Sequence, residues 1–275
     1  MSNYIPKDQN VDYSPGEKFY TQKVASRYDE LRKNDRYWIW ENTVLDQCIE
    51  MIQTADKIAD CPVGTGRFMD IYKKYGLRVL GMDISRDMLN EASKKVADLT
   101  LTGGVELIQA DISTLTLDRP IANALVCFRL LHLISHNRLS DVINGLASIP
   151  SKYIFLQIFL VKDVNLRRTL YRVLSAVRSD KINLITKLKY LYRTIKAVIV
   201  NSLFRRQVPS FNKHEENSLC DVMYSHTLSS IITTFEQNSF TLKRCFELRD
   251  DVHLRSESGC YLSTIVVLKK ESLIG

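Results

Sequence analysis

Three aspartates and one glycine turn are the residues here whose types and spacing could do chemistry. Asp60-Cys61-Pro62-Val63-Gly64-Thr65-Gly66-Arg67-Phe68 sets an acid ahead of two glycines. Without a Cβ, Gly64 and Gly66 let backbone approach a ligand closely. A helix opening at Gly66 would offer free N–H groups and partial positive charge to a carboxylate or phosphate. Taken alone, such a turn is also an ordinary strand–helix connection. Asp83 closes Arg78-Val79-Leu80-Gly81-Met82-Asp83, 17 residues after Gly66, where an acid can accept both hydroxyls of a ribose. Asp111 closes Leu107-Ile108-Gln109-Ala110-Asp111, where a carboxylate can accept from the exocyclic amine of adenine. Either acid could instead cap the helix or turn that comes after it. Three such elements at successive strand ends exceed what capping explains, and ligands of open α/β sheets bind along that edge.

A second group, Cys127-Phe128-Arg129-Leu130-Leu131-His132, follows the fourth expected strand. His132 is a candidate general base, a role worth about 10²–10⁴-fold in rate. Arg129 is a second candidate catalytic residue. The competing reading has His132 fixing its loop by hydrogen bonds. His132 and His136 are four apart, but no third and fourth ligand with metal spacing lies nearby, so no metal site is expected.

These residues need elements to position them. Strands are expected at Lys57–Cys61, Arg78–Met82, Val105–Gln109, Ala122–Cys127 and Tyr153–Phe159. Helices are expected at Gly66–Tyr75, Arg86–Leu99 and Asn137–Ile149, with Ser85 or Asp87 near the cap of the second. Strands separated by helices of about ten residues mean parallel β-α-β units. Upstream lie a polar arm over 1–16, a helix at Glu17–Arg32, the cluster Tyr37, Trp38 and Trp40, and a helix at Glu41–Gln53. Downstream, a helix at Thr227–Asn238 precedes strands Phe240–Leu248 and Tyr261–Leu268. Their connection, Arg249–Gly259, leaves no room for a helix, so the pair is antiparallel.

The chain has 275 residues, 45% of them apolar, enough for one large domain with a normal core. No apolar run approaches the length of a membrane span, and the polar N-terminus lacks a secretory h-region. Six cysteines without C-x-x-C spacing read as reduced thiols of a cytoplasmic protein, mostly small core hydrophobes. The net charge of +7 is concentrated: residues 160–213 hold 13 Lys/Arg against Asp163 and Asp180, while the remainder holds 25 basic and 29 acidic residues.

Over roughly 17–160 plus the terminal hairpin, the sequence resembles the class I S-adenosylmethionine-dependent methyltransferases. Asp60, Gly64 and Gly66 match the family's first motif, with Pro62 where glycine is commonest. The resemblance implies a Rossmann-like, doubly wound, mostly parallel seven-stranded sheet with an antiparallel last strand. It implies S-adenosylmethionine as cofactor, with Gly64 and Gly66 beside its methionine part and Asp83 on its ribose. Ile84 would pack on adenine, Asp111 would bind the adenine amine, and Ile112 would add a backbone contact. Phe128 and Arg129 would face the sulfonium, and Tyr28, in Ala25-Ser26-Arg27-Tyr28-Asp29, resembles the Tyr-Asp pair of a helix covering the cofactor. A nicotinamide dehydrogenase is the nearest rival, but its third small residue would fall at Met69.

The expected organisation is a single domain: arm and helical lid over 1–56, cofactor-binding core over 57–160, basic helical insertion over 161–222, and last helix with hairpin over 223–275. No Asn/Asp-Pro-Pro-aromatic motif follows the fourth strand, which argues against methylation of a nucleobase amine. The expected activity is O- or C-methylation of a small-molecule, lipid-like or saccharide acceptor. Alternatives are an RNA methyltransferase or a non-catalytic S-adenosylmethionine-binding module. Residues 162–208 allow three readings: a cap over the substrate cleft, a surface helix meeting anionic lipid at the inner membrane face, or, less favoured, phosphate contact with nucleic acid.

Overall fold

The computed structural model describes residues 20–34, 36–52, 56–98, 104–161, 208–209, 222–224, 226–248 and 261–271. The expected polar arm over 1–16, nearly all of the basic insertion, the loop 249–259, Cys220 and Cys260 lie outside these residues.

Alternation along the central strands decides the layering. In Ala122–Cys127, Leu125 and Cys127 face one core, while Ala124 and Val126 face the other. Side chains of a strand alternate between faces, so a run buried on both sides must be covered twice. Strands β1 (Lys57–Asp60), β2 (Arg78–Asp83), β3 (Val105–Gln109), β4 (Ala122–Cys127) and β5 (Pro150–Val161) lie parallel in the order β3-β2-β1-β4-β5. Two short strands, β6 (Val208–Pro209) and β7 (Val222–Met223), form a separate antiparallel ribbon. The last two, β8 (Phe240–Glu247) and β9 (Tyr261–Lys270), complete the seven-stranded sheet. β9 inserts between β5 and β8, antiparallel to both, so it alone is reversed.

Among the described residues the helices are α1 (Gln22–Ala25), α2 (Tyr28–Arg32), α3 (Arg36–Ile49), α4 (Met69–Lys74), α5 (Arg86–Asp98), α6 (Leu139–Ser148) and α7 (Leu228–Gln237). Leu45 and Ile49 of α3, Tyr72 of α4 and Leu89 of α5 pack on one face. Ile143 and Leu146 of α6 and Ile231 and Phe235 of α7 pack on the other.

Some boundaries differ from expectation for identifiable reasons. Within the described part of the helix expected over Glu17–Arg32 there are two short helices, broken at Ser26-Arg27. The next begins at Arg36, so Tyr37, Trp38 and Trp40 lie inside it; burial of Trp38 and Glu41 outweighs the weak propensity of that aromatic stretch. The helix expected from Gly66 starts at Met69, because Gly66 has φ 72°, outside the helical region. β5 runs on to Val161 because β9 pairs with it that far.

Candidate active site

The glycine turn is suspended between two strands. Cys61 N donates to the Val126 carbonyl at 2.9 Å and Val63 N to the Met82 carbonyl at 2.8 Å. Gly64 has φ 55°, a left-handed backbone that an L side chain rarely adopts. A Cβ on Gly66 would lie 3.3 Å from Met69 Cγ and 3.4 Å from Ala92 Cα, so this glycine also lets the turn sit close to α5.

Asp83, buried at the end of β2, faces that turn. Gly64 N donates to its Oδ2 and Ser85 N to its Oδ1, both at 2.9 Å. Each carboxylate oxygen has two lone pairs, so one on each remains for a diol. Burial raises the Asp83 carboxyl to about 6 against the pull of the Ser85 and Gly64 N–H groups. Asp60 lies deeper, on neither cleft lining. Tyr72 Oη donates to its Oδ2 at 2.9 Å, while its buried Oδ1 has no hydrogen-bond partner. Burial pushes this carboxyl up to about 8.

Two connected clefts run along this edge. The cleft beside Asp111, called the adenine-side cleft after the expected cofactor placement, is about 600 Å³ counting its open part and is lined by Pro62, Ile84, Asp111, Ile112, Ser113 and Arg138 among others. The cleft beside Phe128 and Arg129, called the methyl-side cleft on the same expectation, is about 690 Å³ on the same basis and is lined by Tyr28, Gly64, Thr65, Arg67, Phe128 and Arg129 among others. They share Pro62, Asp83, Ile84, Leu130 and Leu133, so Asp83 stands at their junction. Asp111 also caps the turn Ile112–Thr114, accepting from Ser113 N at 2.9 Å. Gly66 and His132 line neither cleft.

Beneath the methyl-side cleft is a charge network of residues distant in sequence. Glu41 of α3 is fully buried. It accepts from Arg67 NH1, from Arg129 Nε at 3.0 Å and from Gln157 Nε2. Gln157 also donates to Ser263 Oγ at 2.9 Å and accepts from Arg129 N at 3.0 Å. Arg129 has φ 59°, a sparsely populated region for a residue with a side chain, and these contacts hold it there. The Arg67 guanidinium stacks over the Trp38 ring at 3.8 Å. Tyr28 packs edge-on to Tyr20, with ring centroids 6.1 Å apart. The neighbouring Asp29 accepts from Thr65 Oγ1 in the glycine turn and pairs with Lys95 of α5, which docks α2 onto the core.

The loop after β4 is held by a histidine, and it is His226. Its Nε2 lies 3.0 Å from both the Leu131 and Ile134 carbonyls, and Tyr224 N donates to the His132 carbonyl at 2.8 Å. The His132 ring packs edge-on to Phe159 at 4.9 Å, and its Nδ1 has no hydrogen-bond partner. Burial, then the nearby Arg129 charge, lowers the His132 imidazole to about 3. Burial raises the thiols of Cys48, Cys61 and Cys127, the behaviour of inert core residues. Among the described residues, no three of His, Cys, Asp and Glu are grouped to hold a metal ion. No described helix is long and apolar enough to cross a membrane.

Sheet order, reversed β9, glycine turn and strand-end acids together define the fold of the class I S-adenosylmethionine-dependent methyltransferases. Residues 58–149 match the family model described as a methyltransferase domain. No curated protein matches the chain in sequence. Magnesium protoporphyrin IX methyltransferase from Synechocystis PCC 6803, solved with bound SAH, is similar at 15% identity and TM-score 0.58, covering 93% of this chain and 97% of that one. The 1,6-didemethyltoxoflavin-N1-methyltransferase of Burkholderia thailandensis is 9% identical, with TM-score 0.55 and 91% and 85% covered. N-methyltransferase NodS from Bradyrhizobium japonicum WM9 is 8% identical, with TM-score 0.54 and 91% and 96% covered.

Proposed function

We propose that this protein transfers a methyl group from S-adenosylmethionine to a small-molecule acceptor. The observation that carries the reading is Asp83: a buried carboxylate at the junction of the two clefts, both oxygens oriented by backbone N–H groups and each with a lone pair to spare. Asp83 holds the ribose, Gly64 borders the methionine part, Ile84 packs on adenine, and Asp111 and Ile112 read its edge. The bound cofactor supplies an electrophilic methyl on a sulfonium. Phe128, Tyr28 and Arg129 bound the space beside it, and alignment of the acceptor there can supply roughly 7–11 kcal/mol of barrier reduction.

The acceptor is a hydroxyl or activated carbon on a largely apolar molecule, matching a lining that includes Phe68, Met88, Phe128, Leu130 and Leu133. Two neighbours are named for small molecules, magnesium protoporphyrin IX and 1,6-didemethyltoxoflavin, which supports a small-molecule acceptor. On this reading His132 belongs to the packing of its loop, and Arg129 faces the acceptor. Acceptor choice is assigned to the 161–222 segment.

Calorimetry with S-adenosylmethionine, S-adenosylhomocysteine and NAD tests the reading. Both sulfur ligands should bind and NAD should not. Binding of neither sulfur ligand, or unchanged affinity in Asp83→Ala, sinks it.

A further inference from the structure

Asp111 is not left to find its own orientation. Its Oδ1 accepts twice, from Ser113 N at 2.9 Å and from Ser113 Oγ at 2.7 Å. Arg138 NH2 in turn donates to Ser113 Oγ. Arginine carries donors only, and a serine hydroxyl has one proton. The direction of the chain is therefore forced: Arg138 gives to Ser113, and Ser113 gives to Asp111 Oδ1. The other oxygen, Oδ2, stands 3.8 Å from Arg138 NH2, within ion-pair range but too long for a hydrogen bond. Asp111 lines the cleft, and with Oδ1 taken by Ser113, Oδ2 is the oxygen available to a ligand.

The position of Arg138 is itself set by packing. Its carbonyl accepts from Val142 N at 3.0 Å, at the start of α6. Further along that helix, a Cβ on Gly145 would fall 2.1 Å from the Ile112 carbonyl oxygen. The helix that bears Arg138 thus rests directly on the turn that bears Asp111, with no space for even a methyl group between them. Both Arg138 and Asp111 line the adenine-side cleft.

From this geometry we infer that Arg138, acting through Ser113, is a positioning residue that makes the site select a 6-aminopurine over a 6-oxopurine. The inference rests on the S-adenosylmethionine reading above. A 6-amino group can donate to the presented Oδ2. A 6-oxo group turns an acceptor toward a carboxylate, and two acceptors facing each other leave both unpaired. The selection needs Oδ2 held at one angle, and a carboxylate free to rotate would offer it less sharply.

The test is calorimetry on the full chain with S-adenosylhomocysteine and its deaminated analogue S-inosylhomocysteine. The wild type should prefer the amino ligand by roughly 30-fold. Arg138→Met and Ser113→Ala should each cut that ratio to a few-fold, mainly by weakening the amino ligand, and Arg138→Lys should restore part of it. A merely structural role would weaken both ligands alike and leave the ratio in place, and that result overturns the inference, as does a wild type that binds the two equally. A wild type that binds neither overturns the cofactor reading and this inference with it. Circular dichroism melting checks that each variant is folded, and Ser113→Ala keeps the test alive if Arg138→Met does not fold.

Discussion

At the expected adenine end of the cleft, Asp111 and Ser113 come from the turn after β3 and Arg138 from the start of α6, beyond β4, and the Asp111 and Arg138 side chains are 33% and 24% exposed. At the methyl end, Glu41, Arg67, Arg129, Gln157 and Ser263 come from five separate places in the chain, and Glu41 is 0% exposed. The Asp111–Ser113 part of the first arrangement is capping chemistry, available to a short segment once its backbone turns, and Arg138 joins it when α6 docks on that turn. The second exists only when the lid helix, the glycine turn, the loop after β4 and two strands have all assembled. A buried carboxylate facing two guanidiniums is costly to leave half-built, so the methyl end should couple to global stability and the adenine end to ligand choice.

The largest effect should come from Glu41→Ala. Removing the carboxylate strands two mostly buried guanidiniums and should cost about 3–5 kcal/mol, read as a lower midpoint in urea unfolding. A loss below about 1 kcal/mol would break the contrast between the two ends. Next is Asp83→Ala, which should cost about 1.5–3 kcal/mol of S-adenosylhomocysteine affinity by calorimetry, because hydrogen bonds to a charged acceptor are lost.

The same residue gives a pH signature. Its carboxyl is raised to about 6 in the folded protein, so it protonates as pH falls through that value. Ribose hydroxyls bind the carboxylate form, so affinity should fall below about pH 6, and binding near pH 6 should release protons, seen as buffer-dependent heats. For stability the sign is opposite: a raised carboxyl favours the folded state below its unfolded value of 3.8, and that contribution is lost as pH rises through about 6. Asp83→Asn should flatten both profiles.

His226→Ala should cost about 1–3 kcal/mol of stability, since the Leu131 and Ile134 carbonyls lose a shared buried donor. Hydrogen exchange should show the loop 130–135 opening more often while β1 and β4 stay protected. His132→Ala should leave that loop better protected than His226→Ala does; the reverse ranking would return the clamp to His132. The smallest effect should be that of Ser113→Ala on stability, about 1 kcal/mol for the lost hydroxyl hydrogen bonds, because the Asp111 cap on Ser113 N survives, although the change is expected to alter base preference.

Much of the site is legible along the chain because its parts are local. Gly64, Gly66, Asp83 and Asp111 sit at fixed offsets from apolar runs, and the structure gathers Gly64, Asp83 and Asp111 around the connected clefts with Ile84, Ile112, Phe128, Arg129 and Tyr28. Asp60 and Gly66 support the turn from behind instead of lining it. The basic insertion, to which the proposed function assigns acceptor choice, falls almost entirely outside the described residues. Gln157 did carry a signal: a polar residue amid Tyr153–Val161 implies a buried partner. Nothing along the chain names that partner as Glu41, 116 residues away. His132 attracted attention by standing just after β4, whereas the histidine that holds the loop arrives from 95 residues beyond Leu131.

The sequence by itself determined the alternation of strands and helices, the turn that needs glycine, and the acids at the ends of β1 and β2 and just beyond β3, since periodicity, backbone freedom and capping act over a few residues. Tertiary structure decided which charges meet. Insertion of β9 between β5 and β8 brings Ser263 to Gln157, and docking of α3 brings Glu41 to Arg67 and Arg129. Pairings of that kind depend on strand order and helix placement, which apolar patterning constrains without specifying, so the cofactor edge could be read in one dimension and the floor of the methyl-side cleft only in three.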